Sequence, residues 1–482
     1  MKNYKVLLVL IVTGLIFSSC EDFLNPDPTP DAAIAGVNFP SDQDELEFLL
    51  VGVYDGVKGI NGLQFRDTDL NHGIQREFYV TEMLSDNSGS ANGESGEASQ
   101  FDFFQVVSTN GFVFDHYRSA YSVIFRANQV LENLDVAEGD GSRIEAEARF
   151  IRAWMYFNLV RSYGDVPLVL ETIGPFDEEI QFTRVPTVEV YDVIISDLEF
   201  ALGNLTNTTN QYRASIPAAQ GMLATVHLTV GNYLAAQGLL EEIINSGQYS
   251  LEPDFRDVFF NENNNETIFA IGYVPDNAEN SQDFSAEMRG GNIARSSGQN
   301  YATADLISAM GEFGGNRTEF TLRADPLTPS RTQAVKFLPD GDESLEIEAT
   351  GGNPQLAGND WIVLRYADVL LMHAESILAG QLTTPSSNAI ASFQLVRDRA
   401  GLVDPVVTEL TRDNLLLERR VELAFENKRL YDLKRFGVAQ EVLSAFSNSI
   451  GGAFTATDLL LPIPQFEINL SNDGLLEQNP GY

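Results

Sequence analysis

The stretch "AAQGMLATVHLTVGNYLAAQGLLEEIINSGQY", residues 218–249, decides the fold. Small side chains at Ala218, Ala219 and Ala224 let two helices approach closely, and Gly231 supplies the turn between them. Leu228, Tyr233 and Ala235 complete the packed seam. A helix pair of this kind cannot bury its apolar faces alone, and arrays need about three such units to close a continuous core.

The spacing is that of a tetratricopeptide-like unit, and the chain on either side carries more helix. From Asp115 to about Gly247 the apolar period is helical almost throughout, and it returns at Ile362–Ala379, Ser387–Arg399 and Arg412–Phe425. An earlier helix begins near Ser41, which is placed to cap it with Asp44 three residues on. Leu46, Leu49, Leu50, Val53 and Val57 share one face, and Gly59 can end it. The remaining chain is loop-rich. Residues 60–111 contain "SDNSGSANGESGEASQ", followed by "FDFFQVV", whose alternation predicts a short strand. Residues 251–360 are rich in Asn, Gly, Asp and Pro, and the last residues, punctuated by Pro462, Pro464 and Pro480, are expected to be largely extended.

The first residues have the layout of an export signal. Lys2 and Lys5 precede an apolar run from Val6 to Phe17, and Ser18 and Ser19 lead to Cys20, the only cysteine. The run is shorter than the roughly 20 residues a membrane-spanning helix needs. Small residues before a lone cysteine resemble a bacterial lipoprotein signal, in which the cysteine carries the lipid. Residues 1–19 are then the signal, 20–40 the lipidated end and its tether, and 41–482 a single domain. With 69 acidic against 30 basic residues the formal net charge is −39, which repels phosphate backbones and argues against nucleic acid as a partner.

Two further stretches carry the identity. In "EAEARFIRAWMYFNLVRSYGDVPLV", residues 145–169, the apolar stripe Phe150, Ala153, Trp154, Phe157 and Val160 is flanked by Arg149, Arg152 and Arg161, and Gly164 with Pro167 stops the helix. In "LLLERRVELAFENKRLYDLKRFG", residues 415–437, interleaved acids and bases read as a solvated or salt-bridged helix face. With "DWIVLRYADVLLMHAESI" at 360–377, "VRDRAGL" at 396–402 and "LLPIPQFEINLSNDGLLEQNPGY" at the end, these stretches resemble the SusD/RagB family of Bacteroidetes nutrient-uptake lipoproteins.

The resemblance implies a mainly α fold of tetratricopeptide-like helix pairs (about 41–59, 112–250 and 361–440) with a loop-rich ligand-binding face (about 60–111 and 251–360). It implies a surface-exposed, lipid-anchored outer-membrane protein, not an enzyme, that captures a glycan. As a lid, it would deliver that glycan to a SusC-like TonB-dependent transporter. A peptide-binding relative of the RagB type and a glycoside hydrolase remain the alternatives. No zinc pattern, P-loop or nucleophile elbow occurs, and His72, His116, His227 and His373 lack metal-ligand spacing.

The family's binding groups come from the two loop-rich regions. There Arg76, Asn92, Phe101, Phe104, Arg289, Arg295 and Tyr301 are the candidate ligand contacts, as aromatic faces and planar donors. Trp154 and Trp361 both fall in scaffold motifs. Phe101 and Phe103 also fit a core strand. Arg289 and Arg295 in one loop suit an anionic, uronate-type glycan, or else simply offset an acidic surface. Oxygen side chains at alternate positions from Asp86 to Glu94 loosely suggest a structural calcium; no cofactor is otherwise expected.

Overall fold

In the computed structural model the described residues are 40–61, 71–90, 96–174, 178–277, 279–288, 299–325, 328–338, 354–405, 407–471 and 474–482. The longer helices are α1 (Gln43–Lys58), α2 (Gly111–Glu132), α3 (Gly141–Tyr163), α4 (Thr187–Asn204), α5 (Ile216–Thr229) and α6 (Tyr233–Ser246), then α7 (Ala304–Phe313), α8 (Tyr366–Leu378), α9 (Ser387–Arg399), α10 (Arg412–Glu422), α11 (Arg429–Arg435) and α12 (Ala439–Ile450). Among the described residues no helix is long and apolar enough to cross a membrane.

Each helix of the scaffold packs on the next. The order runs from α1 through α2, α3, α4 and α5 to α6, and then α6 packs directly on α8, and α8 on α9. The helical blocks expected at 112–250 and 361–440 are therefore one array, and everything between α6 and α8 is an excursion from it. The turn of the opening stretch is Gly231, with φ +81°, a left-handed conformation that costs an L side chain energy. Ser215 caps α5 by accepting the Ala218 N–H at 3.2 Å. At Gly221 the absence of a side chain is used in full: a Cβ there would sit 2.2 Å from Leu364 Cδ2.

The excursion holds one small sheet and three of the four strands of another. Strands β2 (Thr267–Ile271) and β6 (Trp361–Arg365) form an antiparallel ribbon, every residue of which is buried. A second sheet has the order β1 (Ser88–Gly89), β3 (Tyr301–Ala302), β5 (Thr332–Ala334), β4 (Leu322–Ala324), all antiparallel.

The two blocks are tied by a charged interior. Arg365, at the end of β6, meets Glu266 at 2.7 Å, Glu422 at 2.5 Å and Glu426 at 2.8 Å. Lys336 also reaches Glu426, Arg317 reaches both Glu418 and Glu422, and Arg399 reaches both Glu266 and Glu422. All of these side chains are buried, with four cations set against four carboxylates. Within 415–437, Arg419, Arg420, Lys428, Arg429 and Arg435 are salt-bridged as expected, while Lys434 donates to the Arg161 carbonyl, but the face is not solvated. Arg419, Arg420 and Arg429 are buried as well. Charges buried this way are stable only when paired, so each partner is required by the others.

Other expectations are corrected by the structure. Asp42, not Ser41, caps α1, accepting the Glu45 N–H at 3.0 Å, while Ser41 bonds the Glu45 carboxylate. Residues 362–365 are strand, and the helix begins only at Tyr366. "FDFFQVV" is not a strand: Ser99–Asp102 is one helical turn. The C-terminal segment turns helical at Gln465–Leu470, directly after Pro464. In α3 the flanking arginines divide. Arg149 and Arg152 pair with Asp197, whereas Arg161 lies over the Phe157 and Tyr431 rings at 3.8 Å from each and bonds Asn158.

Candidate functional site

The four-stranded sheet draws the two loop-rich regions together. Ser88 pairs with Ala302 and Gly89 with Tyr301, so the described segments 71–90 and 299–325 meet at this edge. Asn92, Arg289 and Arg295 themselves, like Cys20, lie outside the described residues.

Strand parity sorts the side chains at this edge. Residues directly opposite one another share a face and successive residues alternate, so Ser88 and Ala302 share a face with Ser90 and Asn300, while Tyr301 turns to the other. On the first face the polar atoms are unsatisfied. Asn300 is 1% exposed, yet neither its Oδ1 nor its Nδ2 has a hydrogen-bond partner, and the Ser88 and Ser90 hydroxyls are buried without one. Asp102 lies on the Gly89 side of the strand, its Oδ2 3.2 Å from where a Gly89 Cβ would stand; that Oδ2 accepts the Ser90 N–H at 2.7 Å, and its Oδ1 is buried and unpartnered. Burial raises the Asp102 carboxyl above its usual range. Leaving such groups unpaired costs about 1–3 kcal/mol each. Hydroxyls of a ligand, which donate and accept at once, have the chemistry to satisfy them.

The remaining predicted contacts go elsewhere. Tyr301 is buried on the opposite face, its hydroxyl donating to Asp325 at 2.9 Å and Arg331 lying over its ring. Arg76 is an interior ion pair, with Nη2 2.6 Å from Asp283 and Nη1 3.1 Å from Glu287, so its guanidinium fastens one loop to another. Phe101 is fully buried beside the stacked pair of Tyr79 and Phe112, and Phe104 packs edge-on against Phe446 and Phe454. Neither phenylalanine presents open surface. Both tryptophans are buried in the scaffold, Trp361 stacked on Phe337 at 5.0 Å.

Asp86 is likewise committed, to Arg429 and Arg420. Burial alone would raise its carboxyl, and the two guanidiniums more than offset this, holding it below the usual range. Among the described residues no three His, Cys, Asp or Glu side chains gather as a metal site. The residues that sequence reasoning passed over are Ser90, Asp102 and Asn300. Each is a direct neighbour of a loop or residue that was singled out, but only the strand pairing shows which neighbour faces the edge.

Comparison with known proteins agrees with this architecture. Residues 336–482 match the profile of the SusD family, and residues 60–228 match a profile described as starch-binding associating with outer membrane. The two segments together span well over half of the chain. A SusD-like protein P2 of Formosa agariphila is 26% identical over the full length of both chains. Among solved structures, a laminarin-binding SusD-like protein superposes with a TM-score of 0.74 at 24% identity, covering 92% of this chain and all of that one. Surface glycan-binding protein A of Bacteroides thetaiotaomicron, in complex with laminarihexaose, gives 0.73 at 22% identity, covering 91% of this chain and all of that one. Helix array, sheet-gathered loops and matched profiles lead to one conclusion: the chain belongs to the SusD family.

Proposed function

We propose that this protein is a non-catalytic glycan receptor that takes up an oligosaccharide at the edge of the four-stranded sheet. The observation that carries the reading is Asn300, a buried amide with both ends unpaired on the strand face it shares with Ser88 and Ser90. A chain of hydroxyls supplies the missing partners. The ligands named for two fold neighbours, laminarin and laminarihexaose, support the same class.

The anchoring and delivery steps complete the proposal. Lipid on Cys20 holds the protein to the outer membrane, facing outward, and a SusC-like TonB-dependent transporter receives the captured glycan beneath it as beneath a lid. Arg289 and Arg295, which precede Asn300 in the sequence, favour an anionic glycan. The test is calorimetric titration of protein lacking residues 1–20 with laminarihexaose, xyloglucan oligosaccharides and oligouronates. At least one binds, releases no reducing ends, and binds at least tenfold more weakly to Asn300→Ala. Failure of all three to bind, or an Asn300→Ala variant that binds every one of them as wild type does, overturns the reading.

A further inference from the structure

A second cleft lies along the ribbon of β2 and β6, with a volume of about 530 Å³. That falls in the range of small-molecule sites, roughly 300–1,000 Å³. Thr267, Ala270 and Ile362 line it from the ribbon, and the loops 258–264 and 354–360 form its other walls. It shares no lining residue with the sheet-edge cluster built on Ser88, Ser90, Asp102 and Asn300.

The lining is selective in its chemistry. Gln211, Asn261, Asn264 and Asn359 contribute planar amides, and Glu262, Asp276 and Asp360 contribute carboxylates. Among the described residues no lysine or arginine lines the cleft. Phe260 adds an aromatic ring and also lines an adjoining cavity of about 360 Å³. Amides and carboxylates around an aromatic ring are the groups that hold a sugar by its hydroxyls and its C–H face.

One side chain marks the cleft as built to receive something. Asn359 is 9% exposed, and its Oδ1 is buried with no hydrogen-bond partner. Next to it Asp360 is held in place. Its Oδ2 accepts the Tyr212 hydroxyl at 2.8 Å, and its Oδ1 accepts the Tyr273 N–H at 3.1 Å. A fixed carboxylate beside an unmet acceptor calls for hydroxyl donors. Three carboxylates line the cleft, and the Arg256 guanidinium is turned to the Phe260 ring, 5.2 Å from its centre, so the lining disfavours an anion.

We infer that this cleft is a second carbohydrate site, specific for neutral saccharide, with Asn359 accepting a ligand hydroxyl and Phe260 stacking on a ring. The inference rests on the glycan-receptor reading for its ligand class and differs from it in site and in charge preference. A uronate enters at the sheet edge or not at all, whereas a neutral glucan occupies the ribbon cleft.

The test uses the mature-length protein, laminarihexaose and an oligouronate, with Phe260→Ala and Asn359→Ala. Thermal unfolding confirms that each variant is folded. Wild type takes up laminarihexaose at a site that survives Asn300→Ala and is weakened at least tenfold by either cleft variant, while oligouronate binding is untouched by them. If laminarihexaose binds but both cleft variants bind it as wild type does, the second site is overturned and the glycan-receptor reading stands. If no oligosaccharide of either charge binds wild type, both fall together.

Discussion

Asp86 and Arg429 meet in the interior as a two-pronged pair, Nε to Oδ1 at 2.7 Å and Nη2 to Oδ2 at 2.8 Å. The pair fastens the loop that leads into β1 to the start of α11. Arg420 adds a third contact from α10, bonding the Asp86 carbonyl and the Asn87 side chain. The sheet edge therefore hangs from the helical block by buried charge rather than by apolar packing. Removing one partner strands the other, at a cost of about 3–5 kcal/mol. Arg429→Ala should lower the urea midpoint accordingly, and Arg429→Lys, which keeps the charge and loses the fork, should cost less. Equal midpoints for wild type and Arg429→Ala would remove this pair from the account.

Phe101 and Phe104 separate a core role from a binding role. Truncation of a buried phenylalanine costs about 3–5 kcal/mol through lost contacts and the cavity left behind. Phe101→Ala and Phe104→Ala should each lower the melting temperature by several degrees. A variant of either that melts as wild type does but binds no glycan would return that ring to the ligand.

Glu82 gives the protein a pH dependence on its neutral side. Its carboxylate is fully buried, accepting only the Asn427 N–H at 3.1 Å and the Asn87 amide at 3.3 Å. Burial pushes its pKa up to about 7 from an ordinary 4.5. A carboxyl raised on folding stabilises fully below its unfolded value, and that contribution is lost as pH climbs through the folded one. Stability should therefore decline between about pH 4.5 and 7, by as much as about 3 kcal/mol from this group. Carboxylates held low by arginines, such as Glu422 and Glu426, act oppositely and only in acid. The check is denaturation at pH 5 and pH 8, in which Glu82→Gln narrows the difference between the two.

Gly221 is where α5 touches the ribbon. A methyl group there drives into Leu364 Cδ2, the movable end of a side chain, so the helix survives but the contact is overpacked. Gly221→Ala should cost about 1–3 kcal/mol. Gly238, on the next helix with nothing within 4 Å of its would-be Cβ, is the control, since alanine there should stabilise by up to about 1 kcal/mol through helix propensity. Comparison of the two melting temperatures checks both signs.

The helices were legible because their signals are local. Gly231 marks the turn after α5, Gly164 follows α3, and Ser387–Arg399 has the bounds its apolar spacing gave. What escaped was set by partners distant in sequence. A strand of two residues, Ser88–Gly89, has no period to read; it exists because Tyr301 and Ala302 lie beside it. Phe101 and Phe104 fell in a pattern with the look of alternation, yet Phe101 sits on a helical turn and Phe104, two residues past its end with φ +55°, turns inward as well. Arg76 looked like a free donor because Asp283 and Glu287 belong to another loop. The ribbon cleft was invisible for the same reason, since Gln211, Asn264 and Asn359 come from three separate segments.

The direct packing of α6 on α8 sets an order of events during synthesis. When α6 has left the ribosome, its next neighbour in the array is still unmade, and β2, "TIFAI", has no strand to pair with until "WIVLR" follows. For that interval the nascent chain carries an uncovered apolar helix face and an unpaired β-prone segment, the two features that promote aggregation. A chain exported before it folds meets the same gap outside the cytoplasm. Loop closure over so long a span also slows folding. The family's freedom to elaborate its binding face therefore carries a kinetic cost, and holdase chaperones are the natural means of covering it.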